Sequence, residues 1–204
     1  VADLRSRAER LRYWISHPRF AFGAASVKVY FFAHPGYPRI ARDCIGHLEK
    51  AVSPSWECFE WGSGHSTIFF AKRTKHVVSI EPDKSWYDRV VEWARAAKLT
   101  NLDLRHVPVS DPSEPRSKES VAYSDSILAF PDESFDCIFV DGVLRNECMA
   151  NAPRKLKPGG IAILDDSQRG YDTSPFGNWP QKTFTDFNKN TTIWTKPRND
   201  KEEA

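Results

Sequence analysis

The chain has 204 residues and a formal net charge of +2, a length that suits one domain with a real core. So even a balance gives no support to bulk nucleic-acid or membrane binding, and neither a transmembrane-length apolar run nor a secretory signal is visible. Four cysteines, Cys44, Cys58, Cys137 and Cys148, form no C-x-x-C pair and read as reduced core residues of a cytoplasmic, intracellular protein. The first residue is Val1, not Met, as in a trimmed chain or one domain of a larger polypeptide.

Residues 1–37 read as an N-terminal extension. Within it, Leu4, Ala8, Leu11 and Ile15 recur at helical spacing while Arg5, Arg7, Arg10 and Arg12 crowd the other positions. The spacing predicts an amphipathic helix over 2–16, packed on the domain with a solvated basic face. The same pattern suits an arm that touches a partner, a membrane surface or an acidic substrate. Residues 17–37 carry Tyr30, Phe31, Phe32, His34 and Tyr37.

The main domain is expected over 38–198. Pro38 opens a helix that buries Ile40, Ala41, Cys44, Ile45 and Leu48. Next comes Cys58-Phe59-Glu60-Trp61-Gly62-Ser63-Gly64-His65-Ser66-Thr67, a buried strand, a glycine-rich turn and a helix running to about Arg73. The strand His76–Ile80 ends on a second acid, Glu81, and Asp83 caps a helix with Trp86, Val90, Trp93 and Ala97 on one face. Leu102–Val109 reads as a third strand and 110–126 as a loop, with a short helix or turn before Phe130-Pro131. Phe135–Val140 is a fourth strand ending at Asp141. A helix over Arg145–Lys155 is kinked or shortened by Pro153. Pro158-Gly159-Gly160 turns into a fifth strand ending at Asp165-Asp166. A long loop, 167–180, precedes a hairpin of Lys182–Phe187 and Thr191–Lys196 around Asn188-Lys189-Asn190. Residues 199–204 read as a disordered tail.

A glycine turn between two strand-end acids is the layout of a nucleoside site: glycines let the backbone approach, and Glu81 can accept both ribose hydroxyls. Thr67 stands where a dinucleotide fingerprint has its third glycine, and the Glu60 carboxylate would repel a pyrophosphate. A ligand with an ammonium and a sulfonium is favoured instead.

Glu60-Trp61-Gly62-Ser63-Gly64 resembles the first motif of class I S-adenosylmethionine (SAM)-dependent methyltransferases, and Glu81 their ribose-binding acid. Phe135–Gly142 and Leu156–Asp166 resemble their fourth and fifth strands, so the likeness covers roughly 55–170. It implies a Rossmann-like α/β fold: seven strands, mostly parallel, helices on both faces and a C-terminal antiparallel hairpin. It implies SAM held by Glu60, Trp61, Gly62, Ser63, Gly64, Ser66, Thr67, Glu81 and Asp141. Within the family, Asp141, Asp165 and Asp166 look like the oxygen ligands of metal-dependent O-methyltransferases, catechol-type and sugar-type, which would place Mg2+ or Mn2+ there. The acceptor implied is a hydroxyl of a small molecule or a glycan sugar, with no nucleic acid.

One position departs from the sugar enzymes. Val143 stands where they carry a basic acid, which leaves Asp166, His65, or a metal-bound hydroxide as the proton acceptor, beside Asp141. Arg145 and Arg169 flank the aspartates and read as their ion-pair partners. His106 reads as structural. Tyr171, Phe176 and Trp179 either line the acceptor pocket or form a satellite core. Metal-independent N- or protein methylation, a nicotinamide-dependent oxidoreductase and a non-catalytic SAM-fold module are the competing readings.

Overall fold

The structure is a computed structural model that describes residues 15–187 and 189–198. The helix expected over 2–16 and the tail from Asn199 lie, apart from Ile15 and Ser16, outside the described residues, as does Asn188 of the hairpin turn. The elements are α1 (Pro18–Ala33), α2 (Arg42–Ala51), β1 (Glu57–Trp61), α3 (His65–Ala71), β2 (His76–Glu81), α4 (Lys84–Ala96), β3 (Leu102–His106) and α5 (Lys118–Ser124). They continue with β4 (Phe135–Val140), α6 (Arg145–Lys155), β5 (Leu156–Asp165), β6 (Gln181–Asp186) and β7 (Lys189–Thr195).

Among the described residues the strands form one sheet in the order β3-β2-β1-β4-β5-β7-β6. The first five are parallel; β7 runs antiparallel to β5 and to β6. This is the expected architecture. The order reverses between β1 and β4, and a crevice opens there at the strands' carboxyl ends.

Side-chain alternation divides the core. Phe59, Trp61, Val78, Ile80, Ile138, Val140, Ala162 and Leu164 meet Tyr123 of α5 and Cys148, Met149 and Ala152 of α6. On the other face, Cys58, Val77, Cys137, Phe139, Ile161 and Ile163 meet α2 and Phe69 and Phe70 of α3. Strands buried on both faces read as continuous apolar runs, as these do. All four cysteines are buried and free.

Several expectations need correction. The helix expected at Pro38 starts at Arg42, and Ile40 and Ala41 are buried ahead of it. The expected loop 110–126 holds α5, capped by the Ser117 side chain on the Ser120 N–H, while the short helix or turn expected before Phe130 is a 3-10 turn over Asp125–Ala129. Residues 18–33 are helical. Pro153 sits inside α6, two residues from its end.

Candidate functional site

A cleft of about 580 Å³ opens at the carboxyl ends of β1, β2 and β4. Gly62, Ser63, Gly64, His65, Ser66, Glu81 and Asp141 line it, with Arg39, Pro82, Asp83, Trp86, Gly142 and Val143. The predicted residues Glu60, Trp61, Thr67, Asp165 and Asp166 do not.

Glu81 is the best-prepared acid in the cleft. One carboxylate oxygen accepts the Ser63 N–H at 2.8 Å and the other the Asp83 N–H at 2.9 Å. Burial pushes its pKa up to about 7, against the pull of those two donors. Each oxygen retains a lone pair for a further donor.

The glycine turn is shaped by the protein itself. Gly62 has φ +90°, and a Cβ there would lie 2.5 Å from the Gly142 nitrogen. The loops after β1 and β4 therefore touch backbone to backbone, and only glycine fits. Gly64 differs: its φ of 174° is extended, and a Cβ would meet nothing closer than 3.9 Å. Thr67, in the place of a third glycine, accepts the Gly64 N–H at 2.8 Å and caps α3. Trp86 closes the other side, its indole N–H donating to the Ser63 carbonyl at 2.6 Å.

Glu60 is not a cleft residue. It follows Cys58 by two on β1, so it points to the same sheet face, under the start of α3. It is 1% exposed. Its Oε2 accepts the hydroxyls of Thr67 and, at 2.6 Å, Ser79; its Oε1 has no hydrogen-bond partner. Burial pushes the carboxyl up to about 7, with the Ser66, Ser79 and Thr67 hydroxyls opposing. A direct contact from Glu60 to a cationic ligand is therefore corrected to a support beneath the turn. Trp61 is likewise a core residue, its indole donating to the Tyr123 carbonyl at 3.0 Å.

The three aspartates do not form a metal cradle. Asp165 is fully buried; Lys189 holds one of its carboxylate oxygens and the Thr191 hydroxyl the other at 2.8 Å. Asp166 pairs with Arg169 at 2.7 Å. Asp141 accepts from Arg145 at 3.0 Å, and Arg145 also donates to the carbonyls of Asp141, Gly142 and Asp165. Protein cations already neutralise the cluster, so its charge needs no metal ion. No group of three His, Cys, Asp or Glu side chains able to hold a metal occurs among the described residues.

Asp141 does face the cleft, with its side chain 30% exposed. Burial of the site and the nearby Asp165 carboxylate raise its pKa well above the ordinary range, with Arg145 and Lys189 opposing. His65 stacks on Trp93, ring centroids 4.5 Å apart, and burial followed by Arg39 lowers its pKa. Asp166 is absent from the cleft. Phe176 stacks on Trp194 at 4.8 Å, with Trp179 at its edge, so these rings, with Tyr171, pack on the core. His106 approaches the Pro82 carbonyl at 3.2 Å. Arg39, Pro82 and Val143 were not read as cleft residues; a proline-flanked surface arginine carries no sequence signal for it.

The sequence matches no protein-family model and no curated protein. Solved structures share the fold. A candidate methyltransferase, YhhF of Escherichia coli, superimposes with a TM-score of 0.60 at 13% identity, over 80% of this chain and 88% of that one. A methyltransferase-like protein from Silicibacter pomeroyi gives 0.55 at 20% identity, over 76% and 87%. Against YcgJ from Bacillus subtilis (TM-score 0.46, 18% identity) the match covers 59% of this chain and 49% of that one. The chain has a Rossmann-like α/β fold that methyltransferases also use, with a cleft at the strand ends where that fold receives ligands.

Proposed function

We propose that the cleft binds SAM and that the chain transfers its methyl group to a small-molecule acceptor. Glu81 carries this reading. Two backbone N–H groups fix its carboxylate at the end of β2, and each oxygen can accept one ribose hydroxyl. The Gly62–Gly64 turn beside it offers backbone to the methionine end. When bound, SAM supplies a methyl group on a sulfonium leaving group.

The chain's part is to orient the acceptor and take its proton. Asp141 is the cleft carboxylate suited to this: it lines the cleft just after β4, with its side chain 30% exposed. Arg145 keeps it in place. His65 lines the same cleft and stays neutral near pH 7, with a lowered pKa. A hydroxyl acceptor, a sugar included, would use Asp141 in this way. Lys189, Arg145 and Arg169 pair with the aspartates, and this reading routes no step through a metal.

Equilibrium dialysis with radiolabelled SAM tests the assignment. Glu81→Ala should weaken binding by about thirtyfold, the loss of two charge-assisted hydrogen bonds. Equal affinity in the variant, or displacement of SAM by NADH, would remove it.

A further inference from the structure

α1 is apolar on two opposite sides. One side is used by the domain: Phe31 is buried, the Phe187 ring lies where a Cβ on Gly23 would stand, and Ser26 accepts from Arg42 at 3.3 Å. The other side carries Phe22, Val29 and Phe32, spaced seven and three apart and 77%, 67% and 89% exposed. Ile15, ahead of this helix, is exposed too. A water-facing helix side is normally polar, and exposed apolar rows of this kind mark interaction surfaces.

Charge identifies the surface it fits. Residues 1–33 hold Arg5, Arg7, Arg10, Arg12, Arg19 and Lys28 against Asp3 and Glu9, a net +4 within a chain of net +2. The rest is therefore net −2, and the positive charge is concentrated in the stretch of sequence that carries the exposed apolar row. We propose that this N-terminal segment docks the protein onto an anionic lipid bilayer, with Phe22, Val29 and Phe32 entering the acyl boundary and the arginines on the lipid phosphates.

A second copy of the chain fits less well. It would bring two net-positive segments together. The helical path also breaks at His17 (φ −129°, ψ 70°), before Pro18, so no continuous seam joins Ile15 to Phe22. No described helix is long and apolar enough to cross a membrane; the docking proposed is on the bilayer surface.

Vesicle co-sedimentation of the full chain tests this. The protein should pellet with phosphatidylcholine–phosphatidylglycerol vesicles, remain in solution with phosphatidylcholine alone, and be released by salt. Phe22→Ser with Phe32→Ser should cut binding by about tenfold or more while the melting temperature holds, since both rings are exposed. Replacing Arg5, Arg7, Arg10 and Arg12 by Gln should weaken binding and flatten its salt dependence. Wild-type protein left in solution with both vesicles, or binding unchanged in both variants, overturns the proposal. So does a dimer in sedimentation velocity that the phenylalanine pair abolishes without any vesicle binding.

Discussion

Two carboxylates at the ends of the neighbouring strands β1 and β4 have different duties. Glu60 supports the turn from below, and Asp141 faces the cleft. Glu60 and Glu81 are both pushed up to about 7 by burial. A carboxyl whose folded pKa lies above its unfolded value stabilises the fold in its protonated form. That contribution is complete below about pH 4.5 and is lost as pH rises through about 7. The ligand-free protein should therefore melt at a higher temperature near pH 5.5 than at pH 8, and Glu60→Gln should recover on the order of 1 kcal/mol at pH 8. A flat melting profile over that interval would contradict the burial of Glu60. Asp141→Asn should lower methyl transfer by about a hundredfold, with S-adenosylhomocysteine affinity within about threefold of wild type. Equal turnover in the variant would move the proton acceptor to His65 or dispense with one. Its position after β4 was legible in the sequence. The direction of Glu60 was not read correctly, although the two-residue step from buried Cys58 already pointed it under α3. The fate of Asp165 was hidden, because Lys189 and Thr191 reach it only when β7 pairs with β5.

At the scale of elements, the turn between β1 and α3 separates two uses of glycine. Gly62 is required by the backbone of Gly142, whereas Gly64 has room around it. Gly62→Ala should cost more than about 2 kcal/mol of stability, from the positive φ and the backbone clash. Gly64→Ala should fold with stability within about 0.5 kcal/mol of wild type, yet bind SAM at least about tenfold more weakly if the cofactor backbone passes there. Comparable losses in the two variants, read by chemical denaturation and dialysis, would contradict this division. The strands were legible because apolar runs between turn residues are a strong signal. α5 was missed because Ser, Pro, Asp and Glu around it read as a loop. α1 was missed because a helix apolar on two sides shows little 3.6-residue contrast.

At the scale of the molecule, the sheet puts β1, β2 and β4 side by side, so that residues 62–66, 81 and 141 converge from separate segments on one cleft. That convergence was readable from the order of the motifs. The pairing of Asp165 and Asp166 with Lys189 was not readable, because Lys189 meets them only in the folded sheet. A crystal structure of the protein with S-adenosylhomocysteine is the most direct test of the central claim. The account predicts both ribose hydroxyls on the Glu81 carboxylate, the methionine end along Gly62–Gly64, and the sulfur facing Asp141. A nucleoside bound away from Glu81, or a cleft left without it at saturating ligand, would contradict the account.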